Sequence, residues 1–258
     1  SIGAATFRIA PIMSALYVLA ALVIIFLHIT ELPGAIAKII RLAFSNEAVA
    51  GGFVGILIWG IKRSTFSNEA GLGSAPIAHS AARTKEPVRE GIVALMEPFI
   101  DTILICNMTA LVIVLTGVLD DPVLVEEAAG RGVVLTKMAF ESVIGWFPYI
   151  LTLCIILFAY STMISWCYYG ERGWIYLLDH FGEGVGLKSV VFFRIFFVVF
   201  VFIGAIVNLG AVVDFADAMN FTMAFPNILG CLLLTPILTK AVKTYWTKFQ
   251  SGEMKPNK

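Results

Sequence analysis

The chain is predicted to be an all-α, polytopic membrane protein, and three features of its sequence carry that prediction. Hydrophobic residues make up 59% of its 258 residues and charged ones only 14%, with a mean hydropathy of +0.90, whereas about a quarter of the residues in a soluble domain are charged. Several apolar runs reach the roughly 20 residues that a helix needs to cross about 30 Å of hydrocarbon. Strands of a membrane barrel would be about ten residues long with alternating polarity, and no such alternation is present.

Within a single domain, 1–258, six spans are predicted: 12–29, 44–62, 96–117, 148–168, 189–208 and 212–240. Pro11 stands at the favoured first-turn position of the first. Span two opens with Gly51, Gly52 and Gly55 close together, a spacing that either breaks the helix or lets a neighbour pack closely. Span six has Pro226 near its middle and is expected to be one tilted, kinked helix. The segments between spans, 30–43, 63–95, 118–147, 169–188 and 209–211, are rich in charge, Gly and Pro and read as loops. With the start inside, fourteen Lys and Arg fall in inside segments and only Lys38, Arg41, Arg131 and Lys137 outside. That bias places both ends, including the C-terminus, in the cytoplasm of a multi-pass cell-membrane protein.

Composition excludes other classes. Net charge is zero, and nothing supports nucleic-acid binding. Cys106, Cys154, Cys167 and Cys231 lie in apolar runs without a CxxC pair, and His28, His79 and His180 are far apart, so disulfides, bound metal and cofactors are not expected. A membrane-embedded hydrolase would need a base beside a nucleophile, and only His28 lies at a span end. His79 reads as a loop residue. Glu97 with Asp101, and Asp214 with Asp217, could suggest acid–base work, but each pair sits at a helix start, where acids suit the dipole. The pentapeptide Phe-Ser-Asn-Glu-Ala, at 44–48 and 66–70, reads as coincidence, because the sequences diverge immediately after it.

The most informative stretch is Phe66 to Ala82, FSNEAGLGSAPIAHSAA, directly after span two. Gly71, Gly73 and Pro76 loosen the helical ladder, and freed backbone is tolerated at membrane depth only where protein or water satisfies it. Together with Met96–Thr102, MEPFIDT, and Ser165–Arg172, SWCYYGER, this string resembles the signatures of the alanine or glycine:cation symporters, the sodium:alanine symporter family. The resemblance implies a leucine-transporter fold, with this chain forming the second inverted repeat plus the preceding helix. Symporters of that kind are longer, so a missing N-terminal half of the same protein is expected to complete the site.

The resemblance further implies sodium-coupled symport of a small neutral amino acid, alanine or glycine, with Na+ as coupling ion and the lipid bilayer as surroundings. A proton-coupled permease of the same fold is the alternative. Ser161 and Thr162 match the position of sodium ligands, and hydroxyl oxygens suit a hard cation. Thr162 and Trp166, one turn apart, face the substrate, with Phe53 and Ile56 as its apolar wall by fold analogy. The competing reading has Ser and Thr bonding back to their own helix and Trp166 as an interfacial anchor. Asn68, Glu69, Gly71 and Gly73 form either an inner gate or a plain helix terminus.

Overall fold

A computed structural model describes residues 2–44, 53–128 and 131–254. The described residues are mostly helical and contain no strand. They form two units, 1–59 with 101–168 and 60–100 with 169–258.

In the first unit, α1 (Ile2–Leu27) ends in a turn where His28 Nδ1 donates to the Ile24 carbonyl at 2.9 Å. The chain then bends by 101° into α2 (Leu32–Ala43), with a proline in its first turn. Segment 30–43, expected as a loop, is thus mostly helix. Apolar residues at 32, 35, 36, 39, 40 and 43 form one helical stripe that a search for Gly, Pro and charge passes over. The α3 helix (Phe53–Asn68) begins in this unit. Ahead of α6 (Asn107–Leu115), a π-helical stretch (Phe99–Cys106) has its wider turn bridged by Asn107, whose Nδ2 donates to the carbonyls of Thr102 and Ile103.

The expected loop 118–147 is largely ordered as a 3-10 turn (Val118–Asp120), α7 (Pro122–Ala128) and α8 (Gly132–Glu141). Asp121 caps α7 by accepting the Val123 N–H at 2.9 Å. These short elements close a core of Ala20, Ala21, Ile24, Val112, Phe140 and Phe147 at the head of α9 (Phe147–Asp179). Phe140 is fully buried and stacks on Phe147 at 5.0 Å between centroids. Tyr17 and Thr109 tie α1 to α6 by a hydroxyl pair at 2.5 Å.

The second unit contains the end of α3, α4 (Ser74–His79), α5 (Pro87–Pro98), the end of α9, α10 (Val185–Ile206) and α11 (Leu209–Gln250). The α9–α10 turn is tight. Gly184 adopts φ +78, and a Cβ at Gly186 would lie 2.6 Å from Ile175 Cα, while its N–H is accepted by Asp179 at 2.9 Å. Only glycine allows that approach. Trp174 Nε1 donates to Ser189 Oγ at 2.9 Å, and Arg194 pairs with Glu171 at 2.5 Å. Helix α9 therefore runs into the expected loop 169–188.

Helix α11 is continuous for 42 residues through Pro226 and Pro236. At 1.5 Å per residue it is about 63 Å long, roughly twice the hydrocarbon thickness. Segment 62–86 runs beside it: Lys62 and Arg63 meet Asp217, Gly71 meets Asn227, and Glu86 meets Lys248. The expected loop 63–95 is therefore packed chain that includes α4 and most of α5.

Among the described residues four helical stretches are long and apolar enough to cross a membrane: Pro87–Leu115, Phe147–Asp179, Val185–Ile206 and Leu209–Gln250; a fifth is obtained if α1 and α2 count as one bent span. Six were expected. Span 44–62 is described only from Phe53 onward, within the 16-residue α3. Large apolar side chains such as Phe192, Phe196 and Val199 point outward from α10, where lipid rather than water is the compatible surrounding.

Candidate functional site

In the first unit, Ser161, Thr162, Ser165 and Trp166 occupy successive turns of unbroken α9, all half-buried. Ser161 Oγ donates to the Phe158 carbonyl at 2.8 Å and Ser165 Oγ to the Ser161 carbonyl at 3.1 Å. The hydroxyl protons thus bond back to the helix, as the structural reading anticipates. A hydroxyl used as a donor still keeps oxygen lone pairs for a further partner.

Thr162 behaves differently. Helical threonines elsewhere, including Thr65, Thr109, Thr136, Thr152 and Thr222, donate to the carbonyl four residues back. For Thr162 that carbonyl belongs to Phe158 and accepts Ser161 instead. Among the described residues the threonine hydroxyl makes no such bond, and it lies on the face it shares with Trp166, one turn on.

Phe53 and Ile56 lie in the first turn of α3, but their side chains are outside the described residues, as are Gly51 and Gly52, where the helix break was expected. No group of three or more His, Cys, Asp or Glu able to hold a metal occurs among the described residues.

In the second unit, the interrupted motif has a definite conformation. Helix α3 ends at Asn68, whose side-chain oxygen accepts the Ala70 N–H at 2.9 Å. Glu69, Gly71 and Gly73 then take φ values of +55, +85 and +93, the left-handed region that costs a side-chain-bearing residue about 1–2 kcal/mol. Asn227, immediately after Pro226, donates to the Gly71 carbonyl at 2.9 Å. A Cβ on Gly73 would press on the same Asn227 side chain at 3.3 Å. Ser74 opens α4 fully buried, its hydroxyl without a hydrogen-bond partner among the described residues.

Two charged clusters in this unit carry more than the sequence reading gave them. Asp217, 4% exposed, is paired with Lys62 at 2.5 Å and with Arg63. In the predicted topology Lys62 and Arg63 lie at the inner end of span two and Asp217 at the outer start of span six. Direct contact brings them to one level, so those span limits do not hold together. His79, expected in a loop, ends α4 and lies between two acids of α5, with Nδ1 2.7 Å from Glu90 and Nε2 3.6 Å from Glu97. Neither cluster was legible, because each joins residues distant in sequence or across a turn. A buried acid within an apolar helix was the available signal for Asp217.

The apolar helices and the glycine-broken motif fit a membrane transporter. The chain belongs to the sodium:alanine symporter family, whose sequence pattern matches residues 1–258. It is 39% identical over 256 residues to an uncharacterized transporter of Haemophilus influenzae, covering 96% of this chain and 53% of that protein. It is 40% identical over 246 residues to the sodium/alanine symporter AgcS of Methanococcus maripaludis, covering 95% and 52%. A probable sodium/glutamine symporter of Bacillus subtilis, GlnT, is 32% identical over 247 residues, covering 95% and 49%. The chain therefore spans about half the length of the curated relatives it matches.

Proposed function

We propose that this chain supplies part of a sodium-coupled secondary symporter that carries a small neutral amino acid, alanine or glycine, across the cytoplasmic membrane. Family membership and the relatives named as sodium/alanine and sodium/glutamine symporters support the class. The Thr162 hydroxyl, without a back-bond among the described residues, beside Ser161 and one turn from Trp166, carries the assignment of the site. In this reading Ser161 and Thr162 offer oxygen to Na+, while Thr162 and Trp166, with Phe53 and Ile56, meet the amino acid. The spans adopt the second inverted repeat of the leucine-transporter fold plus the preceding helix, with the C-terminus inside. Asn68, Glu69, Gly71 and Gly73 form the hinge of an inner gate.

No covalent step is needed. Coupling requires that ion and amino acid stabilise one another when bound together, and that the empty or doubly loaded carrier switches between its two open forms. One positive charge falling through about 100 mV contributes roughly 2.3 kcal/mol.

A second reading, proton coupling, is favoured by one observation, the His79 imidazole held between Glu90 and Glu97. Uptake of radiolabelled alanine by the full-length protein in proteoliposomes separates the two. Sodium coupling predicts that replacing Na+ by K+ abolishes concentrative uptake and that a pH gradient alone does not restore it. Thr162→Ala is expected to lower uptake at least tenfold, with recovery in Thr162→Ser, and Trp166→Ala to raise the half-saturating alanine concentration. Equal uptake in both salts overturns the coupling, and unchanged Thr162→Ala and Trp166→Ala variants overturn the site.

A further inference from the structure

Helix α2 has no role in the transport reading. It follows α1 after a four-residue break at 101°, so if α1 crosses the bilayer, α2 runs close to the membrane plane. Its sequence divides cleanly. Leu32, Ala35, Ile36, Ile39, Ile40 and Ala43 recur at three- and four-residue spacing on one face, and Gly34, Ala37, Lys38 and Arg41 occupy the other. A long helix that is apolar all round spans a membrane, whereas one with a clean apolar stripe and basic residues opposite lies along its surface.

The roll of the helix about its own axis is fixed by two contacts. On the apolar side, Ala35 is buried in the first unit's core, with Leu32 packed against it. On the polar side, Lys38 makes a bidentate pair with Asp120 at 2.6 and 2.8 Å, just beyond the C-terminal end of α6. The polar face therefore looks away from the hydrocarbon at the end of the bundle where α1 stops. The remaining edge of the stripe is open, with Ile36 43% and Ile40 57% exposed. Gly34 and Ala37 leave a shallow recess walled by Lys38 and Arg41. Lys38 is held by Asp120, and Arg41 has no ion-pair partner among the described residues.

We infer that α2 is an interfacial helix that binds phospholipid, with acyl chains against Ile36 and Ile40 and the headgroup phosphate on the Arg41 guanidinium. Charge and geometry select this occupant. The recess offers the Arg41 cation to an anion, and the apolar edge beside it suits hydrocarbon.

Spin labels attached to single cysteines in the full-length protein test this in vesicles of phosphatidylcholine with about one quarter phosphatidylglycerol. Labels at Ile36→Cys and Ile40→Cys are expected to collide with oxygen and to be shielded from a water-soluble nickel chelate, with the reverse at Ala37→Cys. Labels at 36 and 40 shielded from both reagents would mean that protein, either more of the same chain or a second copy, covers the edge, and would overturn the inference. So would nickel reaching every position. Native mass spectrometry of lipid retained by the purified protein reads the phosphate contact without the labelling background. Arg41→Gln is expected to lower retained phosphatidylglycerol about fivefold, the equivalent of one basic residue at an anionic surface. Unchanged retention overturns the Arg41 contact, and displacement of the lipid by millimolar inorganic phosphate would reveal a soluble-anion site instead.

Discussion

Asp217 is the most deeply buried charge among the described residues of the second unit, and removing it has a calculable cost. Breaking one side of a fully buried ion pair costs about 3–5 kcal/mol, because the remaining charge stays in a poor solvent. Here the Asp217 side chain is only 5% exposed, but Lys62 is 21% and Arg63 40% exposed, so neither cation is fully enclosed by protein. The expected loss for Asp217→Ala is therefore about 2–3 kcal/mol, and about 1–2 kcal/mol for Asp217→Asn, whose amide oxygen still accepts a hydrogen bond. A double-mutant cycle resolves the partners. Coupling of Asp217 to Lys62 is expected near 1–2 kcal/mol, while coupling to the more exposed Arg63 is expected at about half of that or less. The assay is equilibrium unfolding of the full-length protein in mixed micelles with increasing dodecyl sulfate. An Asp217→Ala variant within about 0.5 kcal/mol of wild type, or a larger coupling to Arg63 than to Lys62, would refute the reasoning.

The left-handed glycines give a matched pair. Gly71→Ala carries only the backbone cost of about 1–2 kcal/mol, since nothing lies within 4 Å of its missing Cβ, whereas Gly73→Ala also presses on Asn227. Gly73→Ala is expected to exceed Gly71→Ala by about 1 kcal/mol in the same unfolding assay, and the excess should vanish in an Asn227→Ala background. In the first unit, Phe140→Ala empties a fully buried site and is expected to cost about 3–5 kcal/mol, measured the same way. Phe192→Ala, on an outward face of α10, is expected to change stability by less than about 1 kcal/mol, because lipid replaces the lost contacts.

Much of the architecture was legible because it follows from local chemistry. Long apolar runs become membrane helices since lipid leaves the backbone no partner but itself. The Gly71–Gly73 interruption appears where the residues permit positive φ, and Asn68 supplies the turn bond that starts it. Segment 30–43 was misread for a local reason too: Pro33, Gly34, Lys38 and Arg41 looked like loop chemistry, although the period-3.6 stripe of the same residues was present. The Ser161 and Thr162 hydroxyls were half legible. Ion ligation was expected of both, with back-bonding as the competing reading, and which of two adjacent hydroxyls bonds back to the Phe158 carbonyl is a question of rotamer.

The sequence by itself determined the solvent, the helical class, the family and the place where the helix after span two comes apart. Each of these depends on residues within a few turns of one another. Tertiary structure decided that Asp217 meets Lys62 and Arg63, that Asn227 seats the glycine motif, that His79 faces Glu90, and that α2 turns across the end of α1. Those pairings depend on how helices lie side by side. Apolar faces in lipid gain little from one neighbour over another, so the choice rests on a few buried polar contacts and small residues whose partners lie far away in the chain.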